Sequence, residues 1–155
     1  MSKWLREGDS EIRIPGEVVW VIGRRNSGKT TLVTAIQKRL NGVIAMDDFL
    51  RCRTAIKGKD LHAYNQMIGL SWSLAYQGFD CLVPAGARTR ALRDHIRENI
   101  PSAIFVYLSG RGRPCADYEE PQADEGILTL AAELSVKQEL EIVLEKIWKI
   151  ESTKN

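Results

Sequence analysis

The sequence predicts a three-layer α/β fold of the P-loop NTPase type, nucleotide-kinase-like, with a central and mostly parallel five-stranded sheet. Three observations carry this expectation. Short apolar runs alternate along the chain with longer segments of helical spacing, the pattern of a sheet covered by helices on both faces. The first run, Glu17-Val18-Val19-Trp20-Val21-Ile22, leads directly into Gly23-Arg24-Arg25-Asn26-Ser27-Gly28-Lys29-Thr30, a complete G-x-x-x-x-G-K-[ST] sequence. The residues that follow, Thr31 to Leu40, carry apolar side chains at 32, 33, 36 and 40, which is helical spacing. Strand, glycine-rich turn and helix are the context such a loop requires.

In chain order, residues 1–13 are polar and read as an N-terminal arm, on which Trp4 and Leu5 are placed to pack against the domain. Pro15-Gly16 is a turn that launches the first strand, and Asn41-Gly42 is a stop signal for the helix after the loop. Val43 to Met46 is a second short strand ending in Asp47-Asp48, and the segment from Arg51 to Asp60, with Arg51, Arg53, Lys57 and Lys59, is a basic loop. Leu61 to Tyr76 has apolar residues at 61, 64, 67, 68, 72, 75 and 76 and reads as an amphipathic helix stopped at Gly78. A third strand is expected at Phe79–Val83, then a basic helix from Arg88 to Asn99, halted before Pro101. Ala103 to Leu108 is the most apolar run and is expected to be a central strand. Residues 109–125 form a loop, Ile127 to Leu130 a fifth strand, and Ser135-Val136-Lys137-Gln138 a capping-box start for a helix reaching Lys149. No linker divides the chain. The expected organisation is an arm over 1–13, one domain over 14–150 and a tail over 151–155.

Composition narrows the function classes. At 155 residues the chain is the size of one domain with a sizeable core, and 44% hydrophobic with 27% charged residues is ordinary for a globular protein. A net charge of +2 gives no global argument for nucleic-acid binding. Cys52, Cys81 and Cys115 have neither metal-ligand spacing nor the even number of a disulfide framework. The polar N-terminus is unlike a signal peptide, and no run approaches the ~20 apolar residues of a membrane span. A cytoplasmic setting is expected.

The chemistry of the loop follows from its residue types. Glycines at 23 and 28 let the backbone curl so that main-chain N–H groups over Gly23, Arg24, Arg25, Asn26, Ser27, Gly28, Lys29, Thr30 and Thr31 face a polyphosphate at a helix N-terminus. Lys29 is placed to reach the β- and γ-phosphates, and the Thr30 hydroxyl to ligate Mg²⁺. ATP with Mg²⁺ is the expected cofactor pair, with GTP left open because the loop reads phosphates and not bases. Among proteins with such loops, a Ras-type GTPase would carry an N-K-x-D segment, which is absent, and motor or transporter ATPases are longer. A small-molecule kinase, which positions two substrates and a cation and needs little else, fits a chain of this size.

Several segments resemble adenylyl-sulfate kinases over nearly all of residues 14–150. Val18-Val19-Trp20-Val21-Ile22-Gly23 is similar to that family's V-I-W-F-T-G strand. Asp117-Tyr118-Glu119-Glu120-Pro121 is similar to its P-Y-E-x-P segment, and Ser135-Val136 with Leu144-Glu145-Lys146-Ile147 to its closing helix. The resemblance implies a kinase that phosphorylates a hydroxyl. Met46 to Arg51 lies over the family's D-G-D-N-V-R segment, which implies that Asp48 orients Mg²⁺ or accepts the hydroxyl proton and that Arg51 holds an anionic acceptor; a helix N-cap would suit Asp48 and a solvated loop Arg51 as well. Ala87 to Arg93 lies over S-P-[FY]-R-x-x-R, so Arg90 and Arg93 are implied acceptor ligands while the serine position is Ala87. Asn65 lies one step from an acceptor-binding asparagine.

The family's long lid is reduced to Gly110-Arg111-Gly112-Arg113-Pro114-Cys115-Ala116, without the phenylalanine that stacks on the acceptor's adenine, so the resemblance does not extend to adenylyl sulfate as acceptor. Arg111 and Arg113 sit where small kinases bring arginine onto the transferring phosphoryl group, a contact worth on the order of a thousandfold in rate; a solvated turn has the same composition. The leading expectation is therefore a Mg-ATP-dependent kinase with a small anionic hydroxyl compound as acceptor. The alternative is a degenerate, kinase-like ATP-binding sensor or partner protein without transfer. Phosphorylation of a nucleic-acid end ranks below both, and a homodimer through the Leu61–Tyr76 helix is left open.

Overall fold

Val18, Trp20 and Ile22 pack into one hydrophobic cluster and Val19 and Val21 into another, and all five are buried. A strand with no solvent-facing side belongs inside a sheet covered on both faces. The computed structural model, which describes residues 3–7, 10–46 and 60–151, puts it at the centre of one.

The arm suggested by the sequence carries an antiparallel hairpin, β1 (Lys3–Glu7) and β2 (Ser10–Ile14). The chain then enters the main sheet with β3 (Val18–Ile22) and continues through α1 (Lys29–Arg39), β4 (Ile44–Ala45), α2 (Asp60–Tyr76), β5 (Cys81–Ala85), α3 (Arg90–Asn99), β6 (Ile104–Leu108), β7 (Leu128–Leu130) and α4 (Val136–Trp148). The spatial order is β4-β5-β3-β6-β7, and every pairing is parallel. Helices α2 and α3 cover the face that carries Trp20, and α1 and α4 cover the other. Trp20 lies at the middle of the first cluster, its ring stacked on Tyr64 at 6.0 Å and 10° and tilted against Phe105 at 6.4 Å.

Two expectations need correction. The third strand runs from Cys81 to Ala85, not from Phe79 to Val83, and so contains Pro84. Cys81 N–H donates to Glu17 O towards β3, and Met46 N–H donates to Leu82 O from the β4 side. With a period of two, Pro84 therefore directs its missing donor towards β4, just past Leu82, the last β5 residue paired with β4 among the described residues. In α2 the buried face is Ala63, Tyr64, Met67, Ile68, Ser71 and Ala75, while Leu61, Trp72 and Tyr76 are exposed. The helix is rotated because Tyr64 and Met67, which reach the Trp20 cluster, set which face turns inward.

The capping box of α4 forms as its sequence suggests: Gln138 N–H donates to Ser135 Oγ (3.2 Å) and Ser135 N–H to Gln138 Oε1 (2.9 Å). Ser135→Ala should cost about 1 kcal/mol in thermal or urea unfolding, a small loss that leaves ligand binding untouched. Among the described residues, no helix is long and apolar enough to cross a membrane.

Candidate nucleotide-binding site

β3 and β6 are neighbours whose onward connections leave in opposite directions, β3 towards β4 and β6 towards β7. A crevice opens at the carboxyl ends of strands at such a switch point, where open α/β sheets bind ligands. Residues 23–28 occupy that point. Asn26 (φ 63°) and Gly28 (φ 99°) take left-handed conformations, and Ser27 N–H donates back to Arg24 O at 3.2 Å, so the loop curls into the first turn of α1. Gly28 stands at the N-cap of α1, where no side chain among the described residues caps the helix, an N-terminus of the kind that suits an anion. An added Cβ at Gly28 would have only Leu108 Cδ1 within 4.0 Å, so the demand for glycine there is conformational and not steric.

Lys29 bridges the loop. Its Nζ donates to Gly23 O (2.9 Å) and to Arg24 O (2.7 Å). Arg25, Asn26, Thr30 and Thr31 are exposed, Ser27 is buried, and Arg24 lies between. The Ser27 hydroxyl has no hydrogen-bond partner among the described residues. For Mg²⁺, no group of three His, Cys, Asp or Glu side chains forms a site among the described residues. The exposed Thr30 hydroxyl in the first turn of α1 suits a cation that takes most of its oxygens from phosphate and water. Asp48 and Arg51, expected at the end of the second strand, lie outside the described residues.

The segment after β6 folds back onto the loop as a strap. Arg113 N–H donates to Arg25 O at 2.8 Å. Gly112 (φ 85°) packs so closely that an added Cβ would lie 2.5 Å from Arg25 O and 3.0 Å from Ser27 N. Arg111 does not face the loop. Its Nη2 forms an ion pair with Glu139 Oε2 at 2.7 Å, with the carboxylate almost wholly buried, and donates to Ala131 O at 2.5 Å. Arg111 thus ties the strap to α4, and Arg113 meets the loop through its main-chain N–H. Gly112→Ala combines a backbone clash with an unfavourable φ and should lift the strap at about 1–3 kcal/mol, read as a lower melting temperature together with altered nucleotide affinity.

On the other side of β3 the segment Gly86-Ala87-Arg88 lies beside the loop, an added Cβ at Gly86 falling 4.0 Å from Gly23 O. It is held at each step. Tyr118 hydroxyl donates to Gly86 O (2.8 Å), Ala87 N–H to the Tyr64 hydroxyl oxygen (2.9 Å), Arg93 Nη1 to Ala87 O (2.7 Å) and Glu119 N–H to Arg88 O (2.7 Å). Ala87 has a left-handed φ of 44°, unfavourable for a residue with a Cβ, and these bonds sustain it.

Arg93 is spent in this network. It is fully buried, and its Nε and Nη2 donate to the two oxygens of Glu125 at 2.7 and 3.2 Å. Both edges of its guanidinium are committed inside the protein. Burial pushes the Glu125 carboxyl up, but the hydrogen bond from Arg93, the N–H of Gln122 and the Arg93 charge outweigh it, leaving Glu125 below the usual carboxylate value. Arg90 is exposed and paired bidentately with Asp124 (2.8 and 3.0 Å), and Asn65 Oδ1 lies 2.6 Å from His95 Nε2.

Sequence reasoning gave no role to Glu120, Glu125, Glu139, Tyr64 or Tyr107. The available signal was charge complementarity: Asp117, Glu119, Glu120, Asp124 and Glu125 follow the arginine-rich loops closely, and three of them pair with Arg24, Arg90 and Arg93.

No protein-family model matches the chain, and no curated protein matches it. Solved structures do. The APS kinase CysC of Mycobacterium tuberculosis, in complex with AMPPNP and APS, superposes with a TM-score of 0.69 at 17% identity, over 84% of this chain and 96% of that one. A sugar kinase from Janibacter sp. HTCC2649, unliganded, gives 0.68 at 22% identity over 84% and 93%. A gluconokinase from Sinorhizobium meliloti 1021 gives 0.60 at 18% over 83% and 89%. At these identities the likeness is one of fold: this chain has the α/β P-loop fold of APS kinases and other small-molecule kinases.

Proposed function

We propose that the chain is a Mg-ATP-dependent kinase that transfers the γ-phosphate to a hydroxyl of a small anionic metabolite. One observation supports this above the rest: residues 23–28 curl into α1 at the switch point of the sheet, with Lys29 Nζ drawn across the loop carbonyls. On nucleotide binding Lys29 exchanges Gly23 O and Arg24 O for phosphate oxygens. Thr30 and Asp48 would hold Mg²⁺, which when bound would neutralise phosphate charge. The acceptor oxygen forms the new P–O bond as the bond to the ADP oxygen breaks, and the acceptor proton leaves to Asp48 or to water.

Arg51 and Arg90 remain the acceptor-side cations. The Arg90–Asp124 pair is exposed, and ion pairs of that kind contribute little, so Arg90 can give it up for an anionic ligand at little cost. Arg113 is placed to approach the γ-phosphate from the strap.

A second reading is favoured by Arg111, which is committed to Glu139 and Ala131. On that reading the protein binds ATP without transferring phosphate, as a sensor or a partner. A screen with γ-labelled ATP and Mg²⁺ against sulfated nucleotides, sugars and nucleosides separates the two. The kinase reading expects at least one labelled product. Tight ATP binding with no labelled product from any acceptor class supports the second reading instead.

A further inference from the structure

Arg24 is a freely chosen position of the loop motif, yet it is fixed from several directions. Its Nη2 donates to Glu120 Oε1 at 2.5 Å, and the other Glu120 oxygen accepts from the Tyr107 hydroxyl. The Arg24 guanidinium lies 5.9 Å over the Tyr118 ring, which stacks on Tyr107 at 6.1 Å and 14°. Tyr107 belongs to β6, and Tyr118 donates to Gly86 O just beyond β5, so the cluster is tied to both strands that flank β3. Arg24 Nε is buried with no hydrogen-bond partner among the described residues, and within that set Glu120 is the carboxylate paired with this guanidinium. The Arg24 main chain is equally engaged, its carbonyl accepting from Lys29 Nζ and from Ser27 N–H.

We propose that Glu120 is a positioning residue for the nucleotide: through Arg24 it fixes the start of the phosphate loop, and with it the path of the main chain into the cradle. The inference rests on the nucleotide-binding reading above. As an isolated ion pair, Arg24–Glu120 is partly exposed and would contribute little to stability. What sets it apart is where the constraint is delivered, since fixing the loop before the ligand arrives removes an ordering cost from binding.

The test is a double-mutant cycle read in affinity: the Kd of Mg-ATP by calorimetry for wild type, Glu120→Gln, Arg24→Leu and the double variant, each with its melting temperature. Glu120→Gln keeps size and removes charge, and it should weaken Mg-ATP about five- to tenfold with a melting temperature within a few degrees of wild type. Arg24→Leu should weaken binding by a similar factor, and adding Glu120→Gln to it should change nothing further. Three results overturn the proposal: unchanged affinity in Glu120→Gln, two losses that simply multiply, or tighter binding in Glu120→Gln, which would mean that the carboxylate masks a cation instead of placing it. Wild-type protein that takes up no Mg-ATP overturns this inference and the function together; wild-type uptake with any of the three results overturns this inference alone.

Discussion

Lys29→Ala should reduce γ-phosphate transfer at least a hundredfold and lower the melting temperature by no more than a few degrees. The ammonium bonds two loop carbonyls at 2.9 and 2.7 Å. Both belong to a surface loop, so water can replace the lysine at modest cost. On the polyphosphate nothing replaces it. Removing one preorganised charge from a developing anionic transition state typically costs ~10²–10³ in rate. The check is labelled-phosphate transfer beside a thermal unfolding scan. A variant that transfers phosphate at the wild-type rate would remove Lys29 from the mechanism.

The largest stability effect is expected far from that lysine. Arg93 and Glu125 are both fully buried and paired through two hydrogen bonds. Arg93→Met leaves Glu125 charged, buried and without its counter-ion, at a cost of about 3–5 kcal/mol, or roughly 10 °C in melting temperature for a domain of this size. Pairing it with Glu125→Leu removes both charges and should recover most of the loss, because a well-packed apolar pair often matches a buried ion pair. Near-wild-type stability of Arg93→Met would show that the pair does not hold α3 to the segment after residue 118. The pH dependence has a definite sign. The folded-state pKa of Glu125 is lowered from its ordinary 4.5. Its contribution is therefore fully present above about pH 4.5 and is lost as pH falls through the folded value. Glu125→Gln should flatten that part of an acid-unfolding profile.

What could be read in the sequence was what is local. The loop at 23–30, the capping box at Ser135 and the alternation of strands and helices depend on neighbours a few residues away, and they lie where the sequence places them. The hairpin at the N-terminus was legible in principle, since Gly8-Asp9 separates two five-residue strands whose register joins Glu7 to Ser10. Pro84 concealed the true end of β5 because proline usually argues against an interior strand, and it lies just past the described pairing with β4.

The partners of the arginines were hidden for a different reason. Arg93 meets a carboxylate 32 positions away, and Arg111 meets Glu139 on the last helix. A guanidinium reads the same in sequence whether it faces a substrate or a buried carboxylate. Charge composition showed that arginine was plentiful near the site but could not show which arginines were already paired.

Calorimetric titration of Mg-ATP into the folded 155-residue chain tests whether residues 23–31 are a phosphate cradle. Saturable uptake at one site per chain, sharply weakened in Lys29→Ala, is the expected result. No uptake of Mg-ATP or Mg-GTP by protein that still shows a cooperative thermal transition would contradict it.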